Sequence, residues 1–243
     1  MDANWYEKSF QEDYTTLYQH RDELSAQREI SSLLQHLPLP RSGKVLDLCC
    51  GDGRHSRALA SHGYDVTGVD LSSYLLERAK QKSKEYHISF YQYDMREIPF
   101  VNEFDILFNL FTSFGYFIED EEHQKVAQRM ARALKPSGYL VMDFLNPIFV
   151  KENLIPYSER EVEGMKIEER RKIENEFVIK EIRIIENGEE RKQWERVRLY
   201  SEDQMRQILN SAGFIIHNVY GDYDFTPYSS ESKRMILYGQ RQK

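Results

Sequence analysis

Within seven residues, Asp47-Leu48-Cys49-Cys50-Gly51-Asp52-Gly53 turns an apolar run into a polar one. Glycines at 51 and 53 let the backbone bend sharply and come close to a ligand, and the amides that open the next segment can receive an anion such as an amino-acid carboxylate. A second acid, Asp70, follows 23 residues after Asp47 in Gly68-Val69-Asp70-Leu71-Ser72, where a carboxylate can accept both hydroxyls of a ribose. The third stretch, Tyr93-Asp94-Met95-Arg96, offers Asp94 as acceptor for the exocyclic amine of adenine and Met95 as a soft apolar face for its ring. The fourth begins at Phe104-Asp105-Ile106-Leu107-Phe108 and runs through Asn109, Leu110, Phe111, Thr112 and Ser113 to Tyr116, a polar and aromatic loop suited to the floor of a reaction site.

These stretches need a scaffold that brings them together, and the text around them supplies one. Lys44 to Leu48 reads as a strand, Arg54 to His62 as a helix, and the unit repeats. Strands follow at Asp65 to Val69, Ile88 to Tyr93, Phe104 to Leu110 and Tyr139 to Phe144, with helices at Ser72 to Tyr86 and Asp120 to Leu134. Strands alternating with helices predict crossover connections and an α/β, Rossmann-like, doubly wound and mostly parallel sheet. All four stretches then fall at the carboxyl ends of parallel strands, where open α/β sheets bind ligands.

From Ser9 to Leu37, apolar residues at helical spacing predict two helices, a cap over residues 1–42 that ends at Pro38 and Pro40. After Asn146-Pro147 the rhythm changes to charged residues alternating with Val, Ile and Trp, which predicts an antiparallel β insertion over residues 147–200. Its clearest piece is a hairpin, Phe177 to Glu186 and Glu189 to Leu199, around Asn187-Gly188, the pair that best supplies two positive φ angles. The α/β text resumes at Ser201 with Gln204 placed for a capping box, and the helix stops at Gly213. Strands Phe214 to Tyr220 and Arg234 to Gly239 follow without a helix between them, so the last strand runs antiparallel. Residues 43–146 and 201–243 thus make one domain, and 147–200 are expected to serve as a substrate lid or as the surface of a homodimer.

The bulk composition narrows the partners. Thirty-three basic against 40 acidic residues give a net charge of −7, a field that repels a polyphosphate backbone, so no nucleic acid is expected. Basic groups such as Arg170-Arg171-Lys172 are interleaved with Glu168, Glu169 and Glu174 and read as a solvated strand face. Cys49 and Cys50 are neighbours, which disfavours a structural disulfide and points to a reducing cytoplasm. Scattered histidines leave those thiols without co-ligands, so no metal is expected. No apolar run spans a bilayer and the N-terminus lacks a leader pattern, so the expectation is an untargeted cytoplasmic protein with no membrane partner.

Taken together, VLDLCCGDG, the acid in GVDLS, the YDM stretch, FDILFNLFTSFGY and LKPSGYLVMDF resemble class I S-adenosylmethionine-dependent methyltransferases over roughly residues 43 to 146. The loop Gly221-Asp222-Tyr223-Asp224-Phe225 with Ser230-Glu231-Ser232-Lys233-Arg234-Met235 looks like the small-molecule branch that includes sugar-amine and glycine or sarcosine N-methyltransferases. The resemblance implies S-adenosyl-L-methionine as cofactor and S-adenosyl-L-homocysteine as product. It places Asp47, Cys49, Gly51 and Gly53 at the methionine end, Asp70 and Leu71 at the ribose, Asp94 and Met95 at the adenine, and Asn109 and Leu110 beside the methionyl chain. The commonest first glycine of the family is Cys49 here, and the turn is expected to keep that residue at negative φ.

The sulfonium methyl is already activated, so transfer to the N or O of a small molecule needs alignment and exclusion of water more than a strong base. If the acceptor is an ammonium or hydroxyl, a group must take its proton; Tyr14 and Tyr116 are the first candidates, with Tyr18 and His20 behind them. Two alternatives stay open: a tRNA or protein acceptor on the same core, and a nicotinamide-dependent oxidoreductase. The latter calls for a third glycine where Ser56 stands.

Overall fold

The computed structural model describes residues 4–19 and 22–243. Three helices open it, α1 (Trp5–Ser9), α2 (Glu12–Leu17) and α3 (Glu23–His36), rather than the expected two. The extra helix exists because Trp5 and Tyr6 bury their rings in the main core, which draws the chain in before Ser9. The break at Phe10 is held from outside, where the Ser72 hydroxyl donates to the Phe10 carbonyl at 2.5 Å. Asp22 caps α3 by accepting the Ser25 amide.

The central layer alternates as the text predicts: β1 (Lys44–Leu48), α4 (Arg54–Ser61), β2 (Asp65–Asp70), α5 (Ser73–Lys82), β3 (Ile88–Gln92), β4 (Phe104–Asn109), α6 (Asp120–Ala133) and β5 (Leu134–Leu145). β5 starts earlier than Tyr139 because Leu134 already pairs with Phe104 of β4. A short helix not foreseen in the sequence, α7 (Pro147–Asn153), follows, with Asn146 capping it through the Ile148 amide and Pro147 in its first turn.

Four strands come next, β6 (Tyr157–Val162), β7 (Met165–Glu174), β8 (Phe177–Glu186) and β9 (Glu189–Arg198), in one antiparallel sheet of that order. Asn187 and Gly188 both have positive φ, 51° and 84°, as their hairpin requires. The chain closes with α8 (Glu202–Ser211), β10 (Phe214–Tyr220) and β11 (Arg234–Arg241). Ser201 and Gln204 form the complete capping box, and Gly213 ends the helix at φ 94°.

The seven-stranded sheet runs β10-β11-β5-β4-β1-β2-β3 and is parallel except at β11, which lies antiparallel between β5 and β10. Its order reverses between β1 and β4, so a crevice opens there at the carboxyl ends of the strands. Apolar clusters cover both faces, one centred on Leu46, Leu48 and Phe144, the other on Val45, Val66 and Ile106. Alternating side chains of each strand supply the two, as a sheet covered on both sides demands.

α1 packs along β9, where the Ser9 hydroxyl donates to the Trp194 carbonyl at 2.8 Å, and Asp13 of α2 pairs with Arg191 at 2.9 Å. These contacts dock the four-stranded sheet and the N-terminal helices to each other across the mouth of the crevice. No helix among the described residues is long and apolar enough to cross a membrane.

Candidate active site

One cavity of about 900 Å³ fills the crevice, walled by the ends of β1, β2 and β4, the N-terminal helices, α7 and the inward face of the four-stranded sheet. Its volume is near the upper end for small-molecule sites, room for two ligands side by side.

The glycine turn forms one wall. Gly51 has φ 56°, and a Cβ built on it would meet nothing nearer than Leu75 at 4.0 Å, so its open side is the cavity. Cys49 also has positive φ, 62°, contrary to the expectation that it stays in the negative region. The Cys50 amide is drawn onto the Val69 carbonyl at 2.9 Å and the Gly53 amide onto the Cys50 carbonyl at 3.0 Å, and those bonds hold the turn. A left-handed non-glycine costs about 1–2 kcal/mol. The Cys49 thiol lies 3.8 Å from the Met95 sulfur on the cavity wall. Burial pushes both cysteine thiols well above their ordinary range.

Asp70 staples this turn to the next strand. Its Oδ2 accepts the Gly51 amide at 2.8 Å and its Oδ1 the Ser72 amide at 2.9 Å, while the carboxylate faces the cavity. Burial raises its pKa, opposed by those amide bonds. Ser72 takes over the capping of α5, accepting the Leu75 amide.

Asp47, Gly53 and Asn109 do not line the cavity; the structure places all three behind its wall. Asp47 is buried and accepts the Ser56 hydroxyl at 2.5 Å; burial raises its pKa against the pull of His55 and that hydroxyl. Gly53 is needed for packing, since a Cβ there would lie 3.0–3.2 Å from Arg57, Phe90 and Ala79. Asn109 donates to the Leu48 carbonyl at 3.1 Å and the Ser113 carbonyl at 3.4 Å, tying β1 to the loop after β4. Its Oδ1 is buried with no hydrogen-bond partner among the described residues.

Leu71, Asp94, Met95 and Leu110 do line the cavity. Asp94 is engaged by Arg96, whose Nη2 lies 2.5 Å away and whose backbone amide donates at 2.8 Å. Burial alone raises a carboxyl, but Arg96 outweighs it and holds Asp94 below its usual range. Arg96 in turn pairs with Glu122 and stacks 4.4 Å from the Phe117 ring.

The loop after β4 is braced by a network the sequence did not announce. Phe111 and Thr112 both have positive φ, 64° and 62°. Buried Asp143 of β5 holds them: its Oδ2 accepts the Phe111 amide at 3.0 Å and its carbonyl the Thr112 amide at 2.9 Å. Arg234 and the Tyr223 hydroxyl satisfy the rest of that carboxylate, at 2.6 and 2.8 Å. The Phe111 ring lies between the guanidiniums of Arg54, 4.5 Å away, and Arg234, 5.1 Å away. Strained backbone held this firmly is typical of ligand-contacting loops.

Opposite that loop stand the aromatic rings of the N-terminal segment. Trp5 and Phe10 pack on Tyr116 at 5.2 and 5.9 Å, Phe10 on Tyr14 at 5.1 Å, and Tyr14 on Tyr18 at 4.8 Å. Tyr14 and Tyr116 both line the cavity. His20 lies outside the described residues.

The far wall comes from the four-stranded sheet. Pairing sets Arg171, Lys180 and Glu195 side by side on β7, β8 and β9, all lining the cavity. Lys180 Nζ is 2.6 Å from Glu195, and the Tyr18 hydroxyl is bound between that ammonium and that carboxylate. Sequence reading missed Lys180 and Glu195, although counting outward from the Asn187-Gly188 turn puts them opposite each other.

Comparison with known proteins agrees with this arrangement. Residues 45–138 match the model of a methyltransferase domain family. A Bacillus subtilis (strain 168) protein named as a methyltransferase, YqeM, is 31% identical over 215 residues, covering 84% of this chain and 87% of that one. Among solved structures, an S-adenosylmethionine-dependent methyltransferase from Clostridium acetobutylicum superposes with a TM-score of 0.81 at 17% identity, covering 95% and 96% of the two chains. The sugar N-methyltransferase KedS8 from Streptoalloteichus superposes at 0.73 and 22% identity, covering 96% and 94%. At those identities the structural likeness speaks for the fold.

Proposed function

The chain belongs to the class I S-adenosylmethionine-dependent methyltransferases, and from that premise we propose that it methylates a nitrogen or oxygen of a small molecule enclosed beneath the four-stranded sheet. The observation that carries this reading is the continuity of the cavity: one space is bounded at one end by Gly51 and Asp70 and at the other by Lys180 and Glu195.

The residues present fit the cofactor. The Asp70 carboxylate faces the cavity where a ribose would lie, Gly51 leaves room for a close approach, and Leu71 and Met95 offer apolar faces for an adenine. Asp94, held by Arg96 on the cavity wall, would accept the exocyclic amine. Asp47 and Asn109 act one step removed, fixing the start of α4 and the loop after β4. When bound, S-adenosylmethionine supplies a methyl group already activated by its sulfonium. The protein's part is then to hold the acceptor in line and to exclude water, which the sheet and the N-terminal helices do by covering the crevice.

A macromolecular acceptor would need an open path to the Asp70 end. The N-terminal segment narrows it, bridged to the start of α5 through Ser72 and to the four-stranded sheet through Trp194, which favours a small one. Sugar amines are the first class to test, in keeping with the sugar N-methyltransferase among the structural neighbours. Calorimetry with S-adenosylmethionine and S-adenosylhomocysteine, followed by a screen of small amines and alcohols for S-adenosylhomocysteine release, tests the proposal. Binding with turnover of a small acceptor supports it; binding with turnover of RNA or protein only would replace it.

A further inference from the structure

We infer that Glu195 receives the proton lost by the methyl acceptor, delivered through the Tyr18 hydroxyl, with Lys180 holding that hydroxyl in place. The inference rests on the small-molecule reading above and assigns a role at the same site.

Glu195 and Lys180 lie on the inward face of the sheet, with side chains only 21% and 16% exposed. A pair serving only to tie strands together gains little at such a site, because burial costs both ions hydration. The outward face shows where this sheet keeps exposed pairs, with Lys166 on Glu159 and Arg183 on Glu190. The inward pair is also joined to a second element. Tyr18, just past α2, donates its hydroxyl to Glu195 Oε1 and accepts from Lys180 Nζ. Its ring is one end of the aromatic series that leads through Tyr14 and Phe10 to Tyr116 beside the loop after β4. The hydroxyl therefore stands at the cavity wall with its proton already directed at a carboxylate.

An ammonium acceptor has no lone pair, and a hydroxyl acceptor ends with a proton to shed, so the reaction needs a proton acceptor. In the step proposed, the acceptor N–H or O–H bond breaks and its proton goes to the Tyr18 oxygen as Tyr18 passes its own to Glu195. The pair left on the acceptor forms the new bond to the methyl carbon, and the S–CH3 pair stays on sulfur. Glu195 then returns its proton to solvent. The charged and titratable groups facing Glu195 among the described residues are Lys180 on β8, Arg171 and Glu169 on β7, and Tyr18. Glu169 is already matched by Arg160 and Arg171, which leaves Glu195 as the carboxylate on the Tyr18 hydroxyl.

The test uses the full chain and a panel of small primary amines and alcohols, with Glu195→Gln and Tyr18→Phe beside the parent protein. Tyr18→Phe keeps the ring and so guards against a folding defect. Both variants are expected to bind S-adenosylhomocysteine as the parent does, and to lose kcat by roughly a hundredfold or more, with the acidic limb of the kcat profile gone in Glu195→Gln. A second readout does not depend on turnover. An amine that the parent methylates is titrated calorimetrically into S-adenosylhomocysteine-loaded protein in buffers of different ionisation enthalpy. The parent, in which that proton passes through Glu195 to solvent, should release about one more proton to buffer than Glu195→Gln, which leaves the bound ammonium protonated. Equal proton counts, or full kcat in either variant, would overturn the inference while leaving the methylation reading intact. A parent protein that binds S-adenosylmethionine yet turns over no amine or alcohol would overturn both.

Discussion

Asp70 Oδ2 accepts the backbone amide of Gly51 at 2.8 Å, so the acid that ends β2 also fixes the shape of the turn that ends β1. One carboxylate thereby couples two adjacent strand ends, and a ligand that binds either should feel a change in the other. A charge-assisted bond of this kind contributes about 1.5–3 kcal/mol.

Replacing Asp70 by Asn keeps the volume and removes the charge from that coupling. The expected result is a loss of S-adenosylmethionine affinity of roughly ten- to a hundredfold, read by calorimetry. Affinity within twofold of the parent would show that the carboxylate does not contribute to the cofactor site.

Cys49 at φ 62° predicts an unusual order of tolerance. Glycine adopts that conformation without strain but loses more chain entropy, so Cys49→Gly should change unfolding free energy by less than about 1 kcal/mol. Valine, branched at Cβ, should cost about 1–3 kcal/mol despite its similar size. Urea denaturation of the two variants gives the comparison, and equal stability would argue against the left-handed geometry.

The Asp143 and Arg234 pair, which braces the loop after β4, gives a stability prediction. Arg234→Met leaves a buried carboxylate without its counter-ion, which should cost about 3–5 kcal/mol in denaturant unfolding. The double variant Asp143→Asn with Arg234→Met should recover part of that loss, because no uncompensated charge remains.

Burial lowers the pKa of His123 from its ordinary value to about 4. Its Nε2 accepts the Phe117 amide, so its Nδ1 carries the hydrogen and faces the Tyr200 oxygen, whose own proton goes to Asp120. A second proton on the ring would confront the Phe117 amide. Unfolded chains bind that proton more readily, so the contribution of His123 to stability is complete above about pH 6.5 and is lost as pH falls towards 4, at up to about 1.4 kcal/mol per unit. His123→Gln should flatten that part of the stability curve, measured by urea denaturation between pH 5 and 7.5; an unchanged slope would place its origin elsewhere.

Legibility in the sequence followed the range over which each feature is determined. Gly51, Asp70 and Met95 could be read because strand-end position and residue type suffice to put them at a crevice. Asn187-Gly188 and the Ser201 and Gln204 box were equally local. The partners of Asp47 and Asn109 were not legible: strand ends place their backbones, but Ser56 and the carbonyls of Leu48 and Ser113 take up their side chains. The sign of φ at Cys49 depends on a bond from the next residue to Val69 on another strand. Lys180 and Glu195 could be set opposite each other by counting from Asn187-Gly188, but Tyr18 meets them only after a distant segment docks, which no short window contains.

Inward and outward residues alternate along β7, β8 and β9; of the inward ones Arg171, Val178, Lys180, Glu195 and Val197 line the cavity, while Met165, Ile167, Ile182 and Ile184 pack on Leu17 and Tyr18. Drift in acceptor preference can therefore proceed by changing those five letters, with the packed inward residues holding the sheet and the outward ones meeting water. Because Asp70 ends β2 and Gly51 lies on the turn after β1, such drift would leave both untouched.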